Sequence, residues 1–167
     1  TQTNGTNARG GLASGGWNVP TQEMVDSYEN GDLRLPASVA VAEGSVDDNG
    51  VMTISAVKSA VNYVPSSTVT HQYFIKKYLH PPYQVEYNTD DKWPVYRYSG
   101  ALLLLAECLV GQGRNDEALP YINEVRSRAG LNNLTSVTKE SVAIEMRHEL
   151  AFENHRGLDL VRQGTAE

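Results

Sequence analysis

The chain has 167 residues, of which 40% are hydrophobic and 20% charged, with a net charge of −6. This is the composition of a folded globular domain with a core of its own. The acid excess excludes a general nucleic-acid binder, because no basic patch is available to release phosphate counterions. A single cysteine, Cys108, excludes an internal disulfide framework and a thiolate metal site, and its place on a helix flank predicts a buried packing residue.

Residues Thr1 to Gly16 are mostly Gly, Thr, Asn and Ser and read as a loop. The chain opens like the middle of a loop, with no leader peptide. Trp17 follows Gly15-Gly16 and is either an anchor packed onto the domain or an exposed platform for a ligand ring. Pro20-Thr21-Gln22-Glu23 signals a helix start with Thr21 as N-cap, Met24, Val25 and Tyr28 inward, and Asn30-Gly31 as the end. Ser38–Ala42 and Val51–Ser55 alternate around the turn Asp47-Asp48-Asn49-Gly50 and predict a small β-hairpin. That acidic turn lacks the ligand spacing and distant Glu of a calcium loop, so it is read as a plain turn.

From Val57 to Trp93 the periodicity dissolves, with one short strand expected around Tyr73 to Tyr78. Such Tyr-rich irregular segments are packed Ω-loops or ligand surfaces. Tyr83 and Tyr87, beside Pro81-Pro82, are candidate rings for stacking on a sugar. Trp93 is expected to cap the core ahead of the next helix.

Val95–Gly130 predicts two antiparallel helices. Leu102, Leu105, Ala106 and Leu109 line one face, Gly111 and Gly113 break it, and Asn115 caps the next helix. Asp116 and Glu117 suit the first turn of that helix, Ala118, Ile122 and Val125 form its apolar face, and Arg126, Arg128 and Gly130 mark its end. Leu102, Ala106 and Ala118 fit the large–small–small positions of a tetratricopeptide repeat, with Ile122 where that repeat usually has an aromatic. One such pair cannot cover both of its faces, so its other neighbours lie elsewhere. The apolar run Ala101–Ala106 is far short of the ~20 residues of a membrane span.

A last helix is predicted from Thr138 to Val161, with Ile144, Leu150, Phe152, Leu158 and Val161 apolar. Its charges, Glu145, Arg147, Glu149, Glu153, Arg156, Asp159 and Arg162, read as interlocking ion pairs rather than acid–base machinery. His148-Glu149-Leu150-Ala151-Phe152 has Phe152 where a zinc-protease helix needs its second His. No phosphate loop or nucleophile elbow occurs, so no catalytic residue, metal site or cofactor is expected.

Three blocks, taken together, resemble the C-terminal portion of the SusD/RagB family of surface nutrient-binding lipoproteins. They are Pro20–Tyr28 with Asp32-Leu33-Arg34; Arg97–Glu107 through Gly113–Leu119 to Asn123–Gly130; and Ile144–Arg156 with Asp159–Arg162. Met146 stands where the family tends to carry an Arg, and Gly157 where it has a bulky aromatic. The family's lipid-attachment cysteine, N-terminal tetratricopeptide helices and closing segment have no counterpart in these residues. The resemblance implies a mainly α fold: a tetratricopeptide-like pair (95–130) and a long C-terminal helix (131–167), preceded by a loop-rich stretch with a short helix and a β-hairpin (1–94). The whole would be the C-terminal fragment of a single SusD-like domain. It implies a non-catalytic glycan-binding protein on the outer face of an outer membrane, lipid-anchored through a missing N-terminal segment. Its partners would be an oligosaccharide or polysaccharide, a SusC-like TonB-dependent transporter and the remainder of the same polypeptide. Trp17, Tyr83 and Tyr87 are its candidate glycan-binding residues. A helical-repeat scaffold that binds protein and not sugar is the alternative.

Overall fold

The computed structural model describes residues 19–48, 50, 52–79, 92 and 94–166, which fall into two compact units. The first takes in residues up to Tyr28 and Leu35–Lys92; the second takes in Glu29–Arg34 and Trp93 onward. Helices predominate, with one three-stranded antiparallel sheet.

In the first unit, α1 (Gln22–Asp26) begins at Thr21, whose Oγ1 accepts the Met24 N–H at 3.1 Å as its sequence predicts. It ends at Ser27, short of Asn30-Gly31, with Val25 and Tyr28 buried and Met24 partly so. A short α2 (Arg34–Ser38), absent from the sequence reading, leads into β1 (Val39–Val46). The predicted hairpin is β1 with β2 (Met52–Ser59), turned by a plain Asp47-to-Gly50 hydrogen bond of 2.9 Å. The hairpin is only part of a sheet, because β3 (Thr70–Ile75) pairs with the other edge of β1 to give the order β2-β1-β3. The third strand lies a few residues earlier than the tyrosine pattern placed it. With partners on both sides, β1 is buried from Val39 through Gly44, which is why its short alternation reads as almost continuously small and apolar.

Register along β1–β2 shifts between Glu43 and Gly44, opposite Ala56 and Ile54, so Ser55 is the extra residue of a bulge. Its hydroxyl donates to the Glu43 carbonyl at 3.1 Å. Gly44 is required there, since a Cβ would lie 2.0 Å from the Thr53 carbonyl oxygen. One face of the sheet packs Ala40, Ala42 and Phe74 with Met52, Ile54 and Leu79.

In the second unit, α3 (Tyr98–Gly111) and α4 (Asn115–Arg128) form the predicted helix pair. Leu102, Ala106, Leu109, Ala118, Ile122 and Val125 are buried in one cluster, and Ala106 and Ala118 are fully enclosed, as close approach of two axes demands. Leu105 is a correction, because it is 41% exposed and faces away from that core. Cys108 is likewise exposed, not buried, since the contact side of α3 is set by Leu102, Leu103, Ala106, Leu109 and Val110. Asn115 does not cap α4; it is the first helical residue, and its amide donates to the Val137 carbonyl at 3.1 Å. Asn123 does the same work further on, exchanging two hydrogen bonds with the Leu134 backbone, so the connection after α4 is tied down along its length.

The predicted long C-terminal helix is two helices, α5 (Lys139–Glu149) and α6 (Arg156–Gln163). Thr138 and Ser141 form a reciprocal capping box at the start of α5. The break falls at Phe152 and Asn154, both at positive φ (66° and 65°), a conformation a continuous helix cannot contain. Apolar spacing runs on across such a break, so it could not be read from periodicity. Of the apolar positions named for that helix, Ile144, Leu158 and Val161 are exposed.

Gly44→Ala is expected to destabilise the chain by at least about 2 kcal/mol, because the new methyl meets backbone rather than a side chain that can turn aside. Urea unfolding of both proteins measures it, and Gly111→Ala, which meets open space, is the control.

Candidate functional site

The most heavily charged place in the second unit is also among its most buried. Glu145 and Glu149 lie one turn apart on the inner face of α5, with His148 between them, and all three are at most 2% exposed. Burial of two carboxylates costs several kcal/mol each unless cations meet them. Four arginines from three places in the chain do so. Arg34 donates to Glu145 at 2.6 Å and to Glu149 at 3.3 Å, while its other edge holds Asp32 at 2.7 and 2.9 Å. Arg126 of α4 reaches Glu145 at 3.0 Å and clasps Glu29 in a two-pronged contact at 2.6 and 2.9 Å. Arg97, just before α3, meets Glu149 at 2.5 Å and Glu153 at 2.9 and 3.0 Å, and also contacts the Ser99 hydroxyl and the Glu149 carbonyl. Arg128 also ion-pairs with Glu149.

The network explains why Glu29–Arg34 belongs with helices more than sixty residues away. Asp32 accepts the backbone N–H of Arg34 at 2.9 Å, which folds the segment so that the guanidinium points at α5. The Leu33 N–H donates to the Ala129 carbonyl at the end of α4 at 3.0 Å. Gly130 follows at φ 79°, and a Cβ there would touch the Leu33 side chain at 3.0 Å, so glycine serves both the helix end and the seat of the segment.

Electrostatically the network is locked. Burial pushes Glu149 up, but the hydrogen bonds from Arg97 and Ser99 and the charge of Arg128 outweigh it and hold the carboxyl below its ordinary value. The Arg126 fork lowers Glu29 against a smaller effect of burial. Burial lowers Arg34, yet Asp32 and Glu145 more than restore it. His148 is pushed down to about 4, first by burial and then by the charge of Arg34, so it stays neutral at neutral pH. Acid–base chemistry needs a carboxyl tuned upward and reachable by a substrate. Here Glu149 is tuned downward and sealed among guanidinium groups, and the ion-pair reading holds for Glu145, Glu149 and Glu153, with Arg34, Arg97, Arg126 and Arg128 as their partners, and for Asp159 with Arg162.

The first unit carries a second, smaller polar cluster. Glu43 accepts from Tyr63 at 2.8 Å and from Lys58 at 2.7 Å, and both donors hold it below its usual value. Desolvation and that hydrogen bond push the Tyr63 hydroxyl up to about 12. Tyr63, His71 and Tyr73 pack with ring centroids 5.4 to 6.2 Å apart, too close to admit a guest between them. Tyr73 donates in turn to Gln22 at 3.0 Å. This cluster fastens one face of the sheet.

Trp17, Tyr83 and Tyr87 lie outside the described residues, as does Trp93, so the geometry neither brings them together nor separates them. Sequence reasoning passed over Tyr96 and Tyr98, which the structure leaves largely exposed beside Arg97. Tyr96 lies 6.4 Å from the His155 ring, and Tyr98 hydrogen-bonds Glu124. Their only sequence signal is two tyrosines straddling an arginine. Among the described residues no group of three or more His, Cys, Asp or Glu is placed to hold a metal ion, and no helix is long and apolar enough to cross a membrane.

Comparison with known proteins gives one consistent result. The SusD family model matches residues 1–167. Among solved structures, a SusD superfamily protein from Bacteroides vulgatus is similar at 26% identity and a TM-score of 0.67, over 99% of this chain and 37% of that one. Surface glycan-binding protein A from Bacteroides uniformis is similar at 27% identity and a TM-score of 0.60, over 86% of this chain and 29% of that one. A SusD superfamily protein from Parabacteroides distasonis, at 24% identity and a TM-score of 0.59 over 86% of this chain and 31% of that one, shares the fold. The chain thus spans about a third of the length of these structures. No curated protein matches it.

Two outcomes follow from the network. Arg34→Met strands buried Asp32 without its cation and leaves Glu145 with Arg126 alone, and it is expected to cost about 3–5 kcal/mol in denaturant unfolding. Arg114→Ala, which removes an exposed pair with Glu117, should cost less than about 1 kcal/mol. Acidification should act in two stages. Between pH 6.5 and about 4 the unfolded chain takes up a proton that buried His148 refuses, so stability falls as pH falls. Below the ordinary carboxyl value of 4.5 the stability contributed by Glu149, whose folded value is depressed, is lost in addition. His148→Gln should flatten the first stage and leave the second, read from thermal melts across that range.

Proposed function

The chain belongs to the SusD family, and on that premise we propose that it is the C-terminal portion of a non-catalytic, glycan-binding protein of the outer-membrane surface. Members of this family are binding proteins rather than enzymes. In this reading the protein captures oligosaccharides or polysaccharides and passes them to a SusC-type TonB-dependent transporter, with a lipid anchor supplied by a segment preceding these residues. The observation that carries the reading is the family match over all 167 residues. Its similarity to the B. uniformis surface glycan-binding protein over 86% of the chain adds the ligand class.

Two physical points support it. Glu145 and Glu149 of α5, which an enzyme reading would need, are engaged by arginines and removed from solvent. The net charge of −6 is compatible with neutral sugar ligands and opposes polyanions. Sugar recognition works through aromatic faces against pyranose rings and a few polar groups that fix hydroxyls. Trp17 in its Gly-rich loop is the leading candidate for such a face, with Tyr83 and Tyr87 behind it. Loops carry binding residues because the scaffold beneath them is fixed.

Affinity gel electrophoresis against a panel of neutral polysaccharides tests the reading. The protein is expected to be retarded by at least one of them, and Trp17→Ala to reduce the retardation several-fold with the circular dichroism spectrum unchanged. Absence of retardation for the folded protein on every polysaccharide would favour the helical protein-binding scaffold instead.

A further inference from the structure

The buried ion pairs of Arg97 have a second effect, on the residues either side of it. Arg97 stands in extended backbone (φ −143°, ψ 162°) immediately before α3. Extended residues send successive side chains to opposite sides, so Tyr96 and Tyr98 leave the chain on the side away from Arg97, roughly 6.6 Å apart at their Cα atoms. The Arg97 guanidinium is held inward by Glu149 and Glu153. Both rings are therefore turned outward, and they are 79% and 69% exposed. A tyrosine packed for stability buries most of its ring. The surroundings of the two rings are polar. Tyr98 hydrogen-bonds the exposed Glu124 of α4. Tyr96 leans on His155 with ring centroids 6.4 Å apart and an interplanar angle of 51°. The neighbouring Asn154 is exposed and fixed at φ 65°.

We propose that Tyr96 and Tyr98 form an aromatic platform on which two consecutive rings of an extended, neutral glycan stack, with Glu124 and Asn154 at its margins to hold hydroxyls. The proposal rests on the reading of this protein as a glycan binder and assigns that role to two residues of the rigid helical unit. Three observations select this ligand. The spacing of the rings along extended backbone suits neighbouring sugars of one chain rather than a single flat ligand. A carboxylate and an amide beside aromatic faces are the groups that orient sugar hydroxyls, and the net charge of −6 opposes a polyanion. The backbone between the rings is pinned by Arg97 through two buried carboxylates, so little ordering is left to be done on binding.

The experiment is affinity gel electrophoresis of the protein as its gene encodes it on the panel of neutral polysaccharides, beside the double variants Tyr96→Ala/Tyr98→Ala and Tyr96→Phe/Tyr98→Phe. On a polysaccharide that retards the parent, the alanine pair is expected to weaken binding at least about fivefold and the phenylalanine pair by less than about twofold, since the stacking faces survive. The thermal midpoint of the alanine pair is expected to stay within about 3 °C of the parent. Undiminished retardation of the alanine pair would overturn the platform and leave the glycan reading standing. A larger fall in its thermal midpoint would also overturn the platform, because the rings would then be packed beneath further chain. So would an equal loss in the phenylalanine pair, because stacking would not be the basis of binding. A folded parent that no polysaccharide retards would overturn the glycan reading and the platform together.

Discussion

The second unit depends on neutralising two carboxylates inside its core. Glu145 and Glu149 sit on the buried face of α5 among Val142, Met146 and Leu150, where an unpaired charge would be prohibitive. Each is met by more than one guanidinium, from the Glu29–Arg34 segment, the approach to α3 and the end of α4. The pairing does not make the unit more stable than a well-packed apolar core would. Removing one partner is the costly change, because it leaves a buried charge with fewer cations to meet it. Burial in this core, and then the charge of Arg34, keeps His148 neutral, while Arg97, Ser99 and Arg128 hold Glu149 down against its own burial.

The network and the apolar stripe of α3 divide the unit between them. On the inner side, small residues at 106 and 118 bring α3 and α4 together, and polar side chains at 115 and 123 secure the following connection. On the outer side, α3 and α6 present hydrophobic residues with nothing among the described residues to cover them, joined by the Glu107–Arg162 pair.

The first unit is organised by a different constraint. Its central strand β1 has neighbours on both edges, so its backbone groups are paired and its side chains must be small or matched. Gly44 and the extra residue Ser55 admit a bulge, and Glu43 is tolerated because Tyr63 and Lys58 converge on it. The aromatic cluster of Tyr63, His71 and Tyr73 then closes that face.

The sequence by itself determined those features whose causes lie within a few residues of one another. The Thr21 and Thr138 helix starts, the α3–α4 pair, the turn between β1 and β2 and the family blocks are of this kind, because caps, turns and amphipathic faces are set by near neighbours. Only the tertiary structure decided which distant partners meet. It gave β1 a second neighbour in β3, broke the last helix at Phe152 and Asn154, and turned Leu105 and Cys108 outward. The charges of α5 were legible as ion pairs, but not that Arg34 and Arg97 would answer them across more than fifty residues. Such pairings arise from where separate segments are brought to rest, and a linear pattern carries no record of that distance. The candidate ligand residues Trp17, Tyr83 and Tyr87 rest on sequence alone, where an aromatic ring in a polar, glycine- or proline-rich stretch is the available signal.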